Sequence, residues 1–138
     1  MNRVIGALAL LSVSAGLLAE AKPVTLIVSD ASGMTQGMAM VLANQMQEQG
    51  AQVDILLCDK AGDLGLKEAG GELLQPNDVT PAQLLAAALN KGATASVCAL
   101  YLPNSGYARE ALKDRVGVAA PDAMARSLLE DGRKVLGF

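Results

Sequence analysis

The stretch Val24–Cys58, VTLIVSDASGMTQGMAMVLANQMQEQGAQVDILLC, decides the fold. It opens on Val24 to Ser29, an unbroken β-rich run of the kind a strand carries when both of its faces are covered. A loop, Asp30-Ala31-Ser32-Gly33, follows. Met34, Met38, Val41, Leu42 and Met46 then recur at helical spacing, and Gly50 supplies a left-handed stop. Val53 to Cys58 is a second β-type run. Strand, helix, strand in that order is the unit of a parallel sheet, because a parallel pair needs a crossover between its members.

The rest of the chain repeats the alternation. Thr80-Pro81-Ala82-Gln83 is a capping box with proline at the first helical position, and Gly92 ends the run after Leu84, Leu85, Ala88 and Leu89. Ala95 to Leu102 predicts the third strand and its exit. Ser105 or Asn104 is read as the cap of a helix through about Asp114, Val116 to Ala119 as a short strand, and Asp122 to Asp131 as a last helix closed by Gly132. Arg133 to Phe138 completes five strands. The expectation is an α/β domain around a mainly parallel five-stranded sheet. One connection is long: Asp59 to Val79 carries Gly62, Gly65, Gly70, Gly71 and Pro76, with at most a short helix around Leu66 to Ala69, and reads as a lid, an oligomer contact or a plain solvated excursion.

At the N-terminus, Arg3 precedes an apolar or small run from Val4 to Leu18, followed by Ala19-Glu20-Ala21. This is the pattern of a secretory signal peptide over residues 1–21, and its run of about 15 residues is shorter than the roughly 20 that span a bilayer. Cleavage leaves residues 22–138 as a single domain, periplasmic or secreted, with no membrane attachment. The net charge of −3 and the absence of a basic run argue against a nucleic-acid partner, and two Tyr, one Phe and no Trp leave no base-stacking platform.

The 138 residues contain no histidine. Ser-His and Cys-His catalytic pairs, imidazole bases and His-containing zinc sites are thereby excluded. No phosphate-loop or dinucleotide motif occurs. Ser32 and Gly33, at the start of the first helix, are candidates for holding a small anion on free backbone N–H groups, or else Ser32 or Asp30 simply caps the helix. The two cysteines, Cys58 and Cys98, both fall at carboxyl ends of predicted strands, where open parallel sheets bind ligands. Three readings stay open for them: buried inert thiols, a Cys58–Cys98 bridge favoured by an oxidising compartment, or reactive thiolates needing nearby positive charge, for which Lys60 is the local candidate beside Cys58. Met34 and Met38, four apart with Met40 nearby, raise a copper(I) site as an alternative to gap-filling core.

Taken together, VTLIVSDASGMTQGMAMVLANQMQEQGAQVDILLCDKAG, LLAAALNKGATASVCALYL and PDAMARSLLEDGRKVLGF resemble the DsrE/DsrF-like family of sulfur-handling proteins across essentially the whole mature chain. The resemblance implies a three-layer α/β/α sandwich and assembly as a homotrimer or hexamer. One branch of that family has a Cys-Gly-x-Cys-type stretch after the strand that follows the helix ending here at Gly92. The text here is Cys98-Ala99-Leu100-Tyr101, so only the first cysteine is kept. The relay branch carries its persulfide at a position matching the neighbourhood of Leu84, which cannot hold sulfur. The resemblance therefore makes Cys98 the expected sulfur-carrying thiol, taking sulfur from or giving it to a small molecule or protein, with no metal or organic cofactor. Asn104, Ser105 and Tyr107 are expected to donate hydrogen bonds to an anionic sulfur group, and Cys58 is a candidate resolving thiol or core filler. The competing expectation is a non-catalytic module of the same fold that oligomerises and holds a small ligand or a protein.

Overall fold

The computed structural model describes residues 19–138, so the apolar run Val4–Leu18, and with it the signal-peptide reading, lies outside the described residues. Five strands form one sheet in the order β4-β3-β2-β1-β5, and every neighbouring pair is parallel. In chain order the elements are β1 (Lys22–Val28), α1 (Gly33–Glu48), β2 (Ala51–Leu57), a 3₁₀ turn (Asp59–Gly65), α2 (Pro81–Asn90) and β3 (Thr94–Val97). They continue with α3 (Tyr101–Ser105), a 3₁₀ turn (Arg109–Ala111), β4 (Val116–Val118), α4 (Pro121–Leu128) and β5 (Lys134–Gly137).

Alternation along the strands decides which face meets the helices. Val24, Leu26 and Val28 of β1, and Val53, Ile55 and Leu57 of β2, share one buried cluster with Ala39, Met40 and Ala43 of α1 and Leu85, Ala88 and Leu89 of α2. The Asn44 amide, buried between these helices, donates to Met40 O at 2.9 Å and to Leu84 O at 3.0 Å, which ties α1 to α2. The chain then steps back across the sheet from β4 to β5, and the right-handed rule for parallel crossovers sends α4 to the opposite face. That layer is thin, for α4 has no fully buried residue. Part of the same face is closed by polar groups instead: Arg133, whose side chain is 6% exposed, reaches Asp54 Oδ2 at 2.6 Å and Thr25 Oγ1 at 3.0 Å.

Three local readings need correction. No helix runs from Ser105 or Asn104 to Asp114. The chain turns helical directly after β3, with the Tyr101 N–H donating to Cys98 O at 3.0 Å, and Pro103 sits in the first turn of α3, where its missing N–H costs nothing. Gly106, at φ +78°, ends α3 in the left-handed conformation that favours glycine. Asn104 and Ser105 therefore close a helix rather than open one. The third strand stops at Val97 rather than near Leu102 for the same reason. In the long connection the helical turn is Asp59–Gly65, with Ala61, Gly62, Leu64 and Gly65 buried, whereas Leu66 makes a bridge to Leu112. Leu74 pairs with Val79 and lays its side chain against Gly37 of α1, so this segment is built into the body of the domain at both ends.

Candidate functional site

β2 and β3 run parallel and end together at the paired residues Leu57 and Val97. Cys58 and Cys98 each stand one residue further on. The Cys58 N–H donates to Val28 O and the Cys98 N–H donates to Leu57 O, both at 2.8 Å, so the sheet ladder fixes both backbones. Adjacent strands lie about 4.8 Å apart, within the Cα separation a disulfide spans. The sulfurs are nonetheless free thiols, each half-buried.

Past these ends the chain diverges and leaves a cleft of about 870 Å³. The two cysteines line it together. Asp59, Lys60 and Asp63 of the 3₁₀ turn form one side, and Leu100, Tyr101, Asn104, Ser105 and Tyr107, from α3 and its flanks, form the other. A depression of about 480 Å³ adjoins it, sharing Lys60, Asp63 and Tyr107 and extending to Gln36, Glu68, Gly70 and Gly71. The sequence reading thus has five of its site residues gathered in one place: Cys98, Cys58, Asn104, Ser105 and Tyr107. Ser32 and Gly33 lie elsewhere, at the N-terminus of α1. There Ser32 Oγ accepts from the Thr35 N–H at 3.4 Å, while the Ser32 N–H donates to Asp30 Oδ1 at 2.6 Å. Met34 and Met38 are exposed on α1, and neither lines the cleft with the thiols.

The polar groups are not equally available. The Asn104 amide donates to Leu100 O at 2.8 Å, and Ser105 Oγ donates to Leu102 O and accepts from the Tyr107 N–H, both at 3.4 Å. Among the described residues the Tyr107 hydroxyl, the Lys60 ammonium and the Asp59 carboxylate make no such bond, and neither charge is in an ion pair. Asp59 also holds φ at +45°, a left-handed backbone that aspartate tolerates better than most residues and that is met often at functional sites.

Sequence reasoning missed Tyr101, Asp59 and Asp63. The Tyr101 ring, 6% exposed, lies flat over Gly62: a Cβ there would stand 2.3 Å from two of its ring carbons. Its hydroxyl donates to Asp63 Oδ1 at 2.6 Å. The signal was Pro103: a helix beginning before it puts Tyr101 one turn from Cys98, on the same side, which an extended reading through Leu102 does not. For the aspartates the signal was their setting among Gly62 and Gly65, which permits a tight turn.

Burial first, and then the neighbouring Cys98 and Asp59, push the Cys58 thiol up to about 12, so it stays protonated through the neutral range. Burial and the bond to Asp63 push the Tyr101 hydroxyl up as well. The arrangement is an open cleft holding a protonated thiol beside a second thiol, a chargeable rim, and no metal-ligand cluster among the described residues.

No protein-family model matches the chain, and no curated protein does. Solved structures do. The YchN protein from E. coli superposes with a TM-score of 0.68 over 85% of this chain and 99% of its own, at 17% identity. A conserved protein of unknown function, BT1422 from Bacteroides thetaiotaomicron, does so with a TM-score of 0.62 over 85% and 95%, at 16% identity. Likeness at this identity speaks of architecture alone, and on that evidence the chain has the α/β fold seen in the YchN protein.

Proposed function

We propose that this chain is an exported sulfur-handling protein in which Cys98 takes sulfane sulfur and holds it as a persulfide for transfer, without a metal or organic cofactor. The observation that carries this reading is the half-buried Cys98 thiol on the lining of an open cleft, beside a Cys58 held protonated. A thiolate is the attacking form, and burial makes Cys58 the poorer candidate for it, which leaves Cys98 as nucleophile. In this scheme Tyr107 and the remaining N–H of the Asn104 amide steady the anionic persulfide. Cys58 supplies a proton or, more slowly, resolves the persulfide by displacing hydrogen sulfide and leaving a Cys58–Cys98 bridge. The donor or acceptor is a small molecule or a protein, and the working form is a homotrimer or hexamer. Export rests on the apolar run Val4–Leu18 ahead of Ala19-Glu20-Ala21.

A second reading has one observation in its favour. Asn104 and Ser105 already spend hydrogen-bonding groups on the backbone of α3, as a ligand-holding module without chemistry would allow. The two separate on one measurement. Reduced protein is incubated with a persulfide donor and with polysulfide, then weighed intact. A carrier gains the mass of one sulfur atom in wild type and in Cys58→Ala, and gains none in Cys98→Ser. Gain on none of the three leaves the binding module. Sequencing the N-terminus of protein recovered from the cell envelope tests export, which requires a start at Lys22.

A further inference from the structure

We infer that the sulfur donor is a small persulfide bearing an amino group, cationic or zwitterionic in the manner of a cysteine- or cysteamine-type persulfide, and not an inorganic oxyanion such as thiosulfate. The inference rests on the sulfur-carrier reading of Cys98. Its own ground is the charge pattern at the rim of the cleft. A 3₁₀ helix repeats every three residues, so Lys60 and Asp63 stand on one face of their turn, and both border the cleft and the adjoining depression. Asp59 faces the cleft from the same segment, and Glu68 faces the depression. Lys60 and Asp59 have no ion-pair or hydrogen-bond partner among the described residues. Asp63 receives only the Tyr101 hydroxyl on Oδ1, which leaves Oδ2 for a ligand.

Among the described residues Lys60 is the one cation across both spaces against Asp59, Asp63 and Glu68, and no arginine borders either. A dianion bound next to Cys98 would face an excess of carboxylates. An ammonium group finds two carboxylates on the same wall, and a zwitterion adds its own carboxylate to Lys60. With the amino end so held, the sulfur end is left toward the two thiols. The Cys98 thiolate then attacks the outer sulfur of R–S–SH: the Sγ–S bond forms, the donor S–S bond breaks, and the electron pair leaves with R–S⁻, which takes a proton from water. Cys98 keeps the transferred sulfur as Cys98–S–SH. The step needs no outside oxidant or reductant.

Charged disulfides probe the rim directly. The full chain as Cys58→Ala, so that Cys98 is the only thiol, is reacted with cystamine, 2-hydroxyethyl disulfide and dithiodipropionate, and each rate is divided by that of a small neutral thiol. Cystamine should exceed dithiodipropionate by about tenfold or more, a size usual for a cleft lined by one sign of charge. The preference should collapse in Asp59→Asn/Asp63→Asn, while Lys60→Gln should slow the dianion further. Equal normalised rates, or a preference that survives removal of both aspartates, overturn the inference. Sulfur loading is then compared between cysteine persulfide and thiosulfate. Loading from thiosulfate as fast as from the persulfide overturns the donor assignment and leaves the carrier. Loading from neither, with the charge order intact, overturns the carrier reading and the donor assignment with it.

Discussion

Replacing Gly62 by alanine tests whether the wall of the cleft is built on the Tyr101 ring. The added methyl would stand 2.3 Å from ring carbons Cδ2 and Cε2 and 2.8 Å from Cγ, distances that real atoms do not adopt. Gly62 is not in the left-handed region, so its backbone accepts alanine and the conflict is with the ring alone. These carbons belong to the body of a buried ring, not to the tip of a flexible chain, so relief requires the whole side chain to move. Overpacking of this kind costs about 1–3 kcal/mol. Moving the ring also breaks the hydroxyl bond to Asp63, worth about 1 kcal/mol for a partly solvated carboxylate. The expected loss is about 3 kcal/mol in urea denaturation at unchanged m-value, a large fraction of the 5–15 kcal/mol by which a domain is usually stable. In a Tyr101→Ala background the same Gly62→Ala change should cost almost nothing, giving a coupling of about 3 kcal/mol. Gly33→Ala serves as control, since its Cβ meets nothing within 4 Å, and its effect should stay within about 0.5 kcal/mol or stabilise slightly. A Gly62→Ala protein within about 0.5 kcal/mol of wild type, or simple additivity in the double variant, refutes the argument.

Further outcomes follow from the ion pairs, the helix cap and the second thiol. Arg133→Met removes the cation from Asp54, which is 21% exposed and cannot fully rehydrate, and should cost about 3 kcal/mol in the same denaturation assay. The Glu130 arm of that pair is largely in solvent and should contribute little, so Glu130→Gln is expected within about 0.5 kcal/mol of wild type. Thr80→Ala removes the side-chain half of the capping box, in which the Gln83 N–H donates to Thr80 Oγ1, leaves the backbone N–H of residue 80 to donate to Gln83 Oε1, and should lower stability by about 1 kcal/mol. In Cys98→Ser, alkylation of Cys58 should be near zero at neutral pH and climb about tenfold per pH unit up to pH 10, because burial, the largest cause of its raised pKa, remains. Its folded-state pKa lies above the unfolded one, so its contribution to stability is whole below about pH 8.5 and is lost as pH rises toward 12. A labelling curve already level at pH 9 would contradict the burial.

The order and type of the elements around the sheet were legible because they depend on local signals. The continuous apolar run of β1, the Thr80–Gln83 box and the glycines at 50, 92 and 132 each act within a few residues of themselves. Both cysteines could be assigned to strand ends on the same ground. What could not be read was where β3 stops, for Ala99 to Leu102 is apolar enough for a strand and turns helical because Tyr101 packs on Gly62, a contact 39 residues away in sequence. The same long-range contact creates the Asp63–Tyr101 bond, so the wall of the site was invisible for the reason the end of the strand was. Asn104 and Ser105 line the cleft with the thiols although they close a helix instead of opening one, since a short helix and a loop both keep them close to Cys98.

The position of the cleft follows from helix length more than from strand order. In the order β4-β3-β2-β1-β5 the direction of winding reverses between β1 and β5, and open α/β sheets usually bind ligands there. In this chain the two backbones are still joined past those strand ends: the Ser29 and Asp30 N–H groups both donate to Phe138 O, at 2.8 and 3.4 Å, and the Phe138 N–H donates to Ile27 O at 2.8 Å. The opening is displaced by two gaps, to β2 and β3. The helix that follows β1 has 16 residues, whereas the one that follows β3 has five and stops at Gly106. Five residues make little more than one turn, too short to lie across the strand ends, and the 3₁₀ turn after β2 is equally compact. The short helix at this one crossover, ended by Gly106, accompanies the cleft that the two thiols line.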